Sequence, residues 1–134
     1  MTIGIDRVTL AIRRMQEEGG PKSYVTILAD ANRNYFAQLH SVRGSEKVDG
    51  ELVSNRWLKA PNLLTPEQVD RIQDFGWRLG EKGFWKTWVA RDEAERSAIA
   101  REVWTVLVEV YGVPPEGPLA ERLYLDPDGS TASG

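Results

Sequence analysis

The spacing of the apolar residues changes period along the chain, and this change limits the possible folds more than any other feature. Over residues 4–18, Ile5, Val8, Ile12 and Met15 recur at three- and four-residue intervals. That spacing puts them on one face of a helix, which Gly19-Gly20-Pro21 ends. From residue 23 the interval falls to two. Residues 23–29 are rich in β-branched side chains, and residues 34–42 carry Tyr35, Ala37 and Leu39 on one side. Residues 46–54 then set Val48 and Leu52 against Lys47, Asp49 and Glu51. Short polar connections, Ala31-Asn32-Arg33 and Arg43-Gly44-Ser45, separate the three runs. The pattern predicts a three-stranded antiparallel meander with one solvated face.

The helical period returns with clear punctuation. Thr65-Pro66-Glu67-Gln68 places Thr at the N-cap, Pro at the first helical position and Gln three residues on, a capping box. Leu64 and Val69 flank it as a hydrophobic staple, Ile72 and Phe75 continue inward, and Gly76 suits the left-handed position past the end. Asp92 and Glu95 open a longer helix over residues 92–111, striped by Ile99, Val103, Val106, Leu107 and Val110. Between these helices, residues 83–90 read as a strand with Phe84 and Trp88 on one face and Trp85 and Val89 on the other. Residues 122–125 could add a short edge strand. Strands grouped between helices, in the order α-β-β-β-α-β-α, predict a two-layer α+β sandwich with helices packed on an antiparallel sheet. A length of 134 residues suits one domain. Residues 1–113 are expected to form it, and the Pro- and Gly-rich residues 114–134 a tail with a disordered end.

Composition removes whole classes of function. There is no Cys, which excludes disulfides, thiolate metal sites and Cys nucleophiles, and a single His leaves no His-based metal cluster. The net charge of −3 gives no basic footprint for nucleic acid. No phosphate-binding glycine motif is present. No stretch is apolar and long enough for a membrane span, and no secretory signal is visible, so a cytoplasmic protein is expected. His40 is the one side chain that titrates near neutrality, but Ser41 beside it points to the opposite face, and only Asp49 or Ser54 could approach it. Asp49 and Glu51 share a strand face and could serve acid–base chemistry or a hard cation, yet a third ligand group is lacking. The simpler reading of all three is a solvated sheet face. No catalytic, metal or cofactor site is expected, and an enzyme or small-ligand domain on His40, Asp49 and Glu51 is the secondary alternative.

Five Trp residues are the compositional excess. Trp77 and Trp104 fit the core. Trp85 and Trp88 face opposite sides of one strand, so a one-sided core cannot hold both; one of them must cover a partner, a ligand or the tail. Trp57 follows Asn55-Arg56 in a loop. Trp57, Trp85 and Trp88 are therefore the candidate binding residues.

Three stretches in this order carry a family resemblance: GELVSNRWL at residues 50–58, LTPEQVDRIQDFGW at 64–77 and GFWKTW at 83–88, followed by a helix closing in VYGV at 110–113. Together they resemble the type III secretion chaperone-like and YbjN-like domains, peptide-binding chaperones of bacteria, across residues 20–113. The resemblance implies an antiparallel sheet with helices on it, and a small acidic protein, often dimeric, that holds clients non-enzymatically over apolar surface and sheet edges. Family members usually place two strands between the second and third helices, whereas residues 77–91 read as one. The expected function is a peptide- or protein-binding homodimer without nucleic-acid or membrane partners. A structural or regulatory subunit with one fixed partner is the other alternative.

Overall fold

The computed structural model describes residues 3–115 and 120–128. Its elements run α1 (Ile3–Glu18), β1 (Tyr24–Asp30), β2 (Tyr35–His40), β3 (Lys47–Leu52), α2 (Pro66–Asp74), β4 (Arg78–Leu79), β5 (Phe84–Val89), α3 (Glu93–Glu109) and β6 (Ala120–Tyr124). The strands form one sheet in the order β4-β5-β3-β2-β1-β6, with every pairing antiparallel. This is the expected α+β arrangement, enlarged by two strands at the sheet edges.

Alternation within the strands decides which way the sheet faces. Val25 and Ile27 of β1, Ala37 and Leu39 of β2, Val48 and Leu52 of β3 and Phe84 of β5 are all essentially inaccessible. Helices α1 and α3 pack against each other and onto this inner face, and their apolar stripes, Val8, Ile12 and Met15 with Ile99, Val103, Val106 and Leu107, complete the core. Gln16 ties the two helices to the sheet layer. Its amide donates to the carbonyls of Ser45 and Ala90, and its oxygen accepts from the Arg96 guanidinium at 2.7 Å. Helix α2 carries both arms of the capping box between Thr65 and Gln68, and Gly76 follows its end at φ +97°. The Gln68 side chain also donates to the Val110 carbonyl, which pins α2 to the end of α3. At that end the buried Tyr111 hydroxyl donates to the Val53 carbonyl at 2.6 Å, and burial raises its pKa well above the usual phenol value.

One edge strand departs from the sequence expectation and the other lengthens the short edge strand read at residues 122–125. Residues 78–79 pair with Trp85 and Phe84, so two strands lie between α2 and α3 where the periodicity predicts one. Arg78 and Leu79 are both exposed, and a two-residue strand has no period to read. Its hairpin is closed instead by Gly80, whose N–H donates to the Gly83 carbonyl. At the other edge, β6 pairs along β1 from Tyr124 opposite Tyr24 to Ala120 opposite Leu28. The sheet therefore continues past Val113. Beyond β6, buried Asp126 accepts from the Lys22 N–H, its own N–H donates to the Ser23 hydroxyl, and its carbonyl accepts from Gly20. These bonds tie the chain down on the turn after α1. The end expected to be disordered is residues 126–134; Asp126 is instead buried and bonded, and residues 129–134 lie outside the described residues.

Candidate functional site

The opposite face of the sheet has no helix over it among the described residues. The strand positions between the core residues supply it: Tyr24, Thr26 and Leu28 of β1, Phe36, Gln38 and His40 of β2, Asp49 and Glu51 of β3, Trp85, Thr87 and Val89 of β5, and Ala120, Arg122 and Tyr124 of β6. Trp85, Val89 and Tyr124 are 44%, 54% and 43% exposed, large values for apolar side chains in a sheet. Register arranges this outer face in rows across the strands. One row runs Arg122, Thr26, Gln38, Glu51, Trp85, Arg78; the next runs Tyr124, Tyr24, His40, Asp49, Thr87.

Two depressions meet on this face. The first, of about 360 Å³, is lined by Tyr24, Thr26, Leu28, Phe36, Gln38, Ala120 and Arg122. The Gln38 amide donates to the Thr26 hydroxyl at 3.0 Å across its floor. Tyr24 and Tyr124 stack at one end with ring centroids 5.4 Å apart. The second, of about 240 Å³, shares Phe36 and Gln38 and adds Glu51, Trp57 and Lys82. Trp57 is 51% exposed, and its indole N–H donates to the Lys82 carbonyl at 2.7 Å, which fixes the ring beside the sheet. Arg56 lies over that ring, and Arg78 lies over Trp85.

The structure thus brings Trp57 and Trp85 to one side of the molecule and places Trp88 on the other. Trp88 packs edge-on against Trp77 at 5.3 Å, and its N–H donates to Glu102 at 3.0 Å. The same carboxylate pairs with Lys86 at 2.9 Å, and Lys86 also donates to the Phe75 carbonyl. Gly50 makes the Trp88 position possible, because a Cβ there would stand 2.6 Å from the indole ring. Trp88 is the tie between sheet, α2 and α3.

His40, Asp49 and Glu51 do share the outer face, but each is differently engaged. The His40 Nδ1 bonds the Ser23 carbonyl, and Asp49 accepts from the Thr87 hydroxyl at 2.8 Å. Glu51 lines a depression that includes neither of the others. Ser41 is buried and donates to the Lys47 carbonyl, and Ser54 is buried as well. Among the described residues, no group of three or more His, Cys, Asp or Glu could hold a metal ion.

The most built part of the outer face is absent from the list of sequence candidates. Phe36, Leu28, Tyr24 and Tyr124 were legible in principle, since each alternates with a core residue, but which face the helices cover is a tertiary matter.

With the fold and this face in view, the comparisons with known proteins are informative. The family described as TY-Chap3, T3SS (YopN, CesT) and YbjN peptide-binding chaperone 3, matches residues 6–122. The chain belongs to this family. The match takes in every helix and strand from α1 to the first part of β6, and with it both depressions of the outer face. Neither a curated protein nor a solved structure matches the chain. No helix among the described residues is long and apolar enough to cross a membrane.

Proposed function

We propose that this chain is a non-enzymatic, chaperone-like binding module that holds peptide or unfolded protein segments on the outer face of its sheet, in the cytoplasm. One observation carries the reading: partly buried and exposed apolar side chains, Tyr24, Leu28, Phe36, Trp57, Trp85 and Tyr124, are grouped on a sheet face that no helix among the described residues covers. Contiguous apolar surface of this kind, rimmed by polar residues, marks an interaction site. Aromatic residues supply large contact area at small entropic cost. Membership of a peptide-binding chaperone family supports the same assignment.

The module acts as a homodimer in this reading. Strand β4 pairs only with Phe84 and Trp85, which leaves the rest of the β5 edge available to a second copy. A standard interface covers about 800 Å² per partner, a modest part of the 7617 Å² surface. Sedimentation equilibrium tests this element separately, and a strict monomer removes it.

An array of unstructured peptides probed with the wild-type protein and with a Phe36→Ser, Tyr124→Ser double variant tests the main reading. Binding that falls by an order of magnitude or more in a variant whose thermal melt shows it still folded is the expected result. Peptides that bind both proteins equally well, or none that bind at all, would remove it.

A further inference from the structure

In the row Arg122–Thr26–Gln38–Glu51–Trp85–Arg78, Arg122 at one end and Glu51 three strands away carry charges of opposite sign on the outer face. Both are exposed, and neither has an ion-pair partner among the described residues, unlike Asp49, Asp30 and Glu102. Arg122 borders the larger depression and Glu51 the smaller one, and the two depressions share Phe36 and Gln38. Between the charges, the Gln38 amide donates to the Thr26 hydroxyl, and Leu28, Phe36 and Tyr24 present apolar carbon.

From these features we propose that the face selects extended segments with an acidic residue, an apolar residue and a basic residue at alternate positions, lying across the strands. The inference rests on the peptide-binding reading and specifies its ligand. Distance and periodicity agree. Arg122 and Glu51 stand three strands apart, about 14 Å. Four residues of extended chain cover about 13 Å, and side chains at alternate positions point to one side. An acid over Arg122 and a base over Glu51 therefore put the middle side chain at the Thr26–Gln38 centre, where the depression of about 360 Å³ has room for a bulky apolar group. The exposed Trp57 ring beside Glu51 gives the aliphatic stem of the basic residue a surface to lie on. Lys82 borders the same depression without an ion pair to Glu51 and adds no second acceptor. Either chain direction satisfies the two charges, so polarity selects the pair of signs and not their order.

Fluorescence anisotropy with four short labelled peptides, identical apart from the two outer positions, tests the inference. The pairs are acid–base, acid–acid, base–base and uncharged Gln–Gln. The wild-type protein should prefer the acid–base peptide by roughly fivefold to tenfold over either like-charged one, a preference that fades as salt is raised. Arg122→Glu should move the preference to the base–base peptide, and Glu51→Lys should move it to the acid–acid peptide. The two substitutions lie on different strands and on exposed side chains, so thermal melts of both variants confirm independent, folded readouts. If all four peptides bind the wild type alike, or if both folded variants keep the acid–base preference, the inference is overturned and peptide binding stands. If none of the four binds while the wider array does, the inference alone falls; if neither binds, both fall.

Discussion

The two faces of this sheet are made by the same strands and come out physically different. On β2, Leu39 is wholly buried while Gln38 and His40 on either side are partly exposed. On β5, Phe84 is wholly buried and its neighbour Trp85 is 44% exposed. The inner face is closed by α1 and α3 and fills with aliphatic side chains. The outer face is neither closed nor plainly polar, since it mixes Tyr24, Leu28, Phe36, Trp85 and Tyr124 with Thr26, Gln38, Asp49 and Glu51. A strand alternation needed only to build a core could end in charged residues on the outside. Aromatic residues grouped at those positions support the proposal that this face holds a ligand.

The sharpest way to break the comparison is within the Phe84–Trp85 pair. Phe84→Ala removes a side chain that is wholly buried in the inner core, and it should destabilise the fold by about 3–5 kcal/mol through lost burial and the cavity left behind. Urea denaturation measures this directly. A loss below about 1 kcal/mol would show that the inner face is not the core.

A smaller effect sharpens the account of how the inner layer is closed. Tyr111 is buried with its hydroxyl donating to the Val53 carbonyl, edge-on to Tyr35 at 5.2 Å. Burial raises its pKa above the ordinary value of 10.0, so the folded state keeps a proton that the unfolded chain releases. The contribution is fully present below pH 10 and is lost as pH rises through the folded-state pKa. Stability should therefore fall above pH 10 by about 1.4 kcal/mol per pH unit from this group. In Tyr111→Phe that part of the alkaline slope disappears, at a cost of about 1 kcal/mol near neutrality from the lost hydrogen bond. Parallel slopes for both proteins in urea melts at several alkaline pH values would contradict it.

Much of this organisation was readable from local chemistry. Thr65 and Gln68 cap α2 as the sequence pattern requires, Asp92 accepts from the Glu95 N–H at the start of α3, and Val48 and Leu52 point inward with Asp49 and Glu51 outward. Each of these depends on a few neighbouring residues. What was not readable depends on distant pairing. Arg78-Leu79 becomes a strand because β5 lies beside it, and the edge strand read at residues 122–125 begins at Ala120 because β1 offers an open edge to pair with. The candidate site divides in the same way. Exposure of Trp57 followed from its loop, and the opposed orientations of Trp85 and Trp88 followed from alternation. That Trp88 is the inward one, seated on Gly50 and bonded to Glu102, needed β3 and α3 in place.

The smallest expected change in stability belongs to Trp85, and it separates the two faces most cleanly. Its ring is nearly half exposed, and the Arg78 guanidinium lies over it, 5.5 Å from the ring centroid. Trp85→Ser removes that cation–π contact, worth about 0.5–1 kcal/mol at an exposed site, from a ring on the solvated face and not from the inner core. Stability should move by no more than about 1 kcal/mol, several times less than for the residue next to it. Binding should move the other way. If the outer face holds client segments, loss of the indole should weaken peptide binding severalfold in anisotropy titrations, while Phe84→Ala should reduce it only in proportion to the unfolded fraction. A Trp85→Ser protein that melts like the wild type and binds peptides equally well would detach Trp85 from the binding surface. The functional face would then be confined to the part of the sheet between Tyr124 and Trp57.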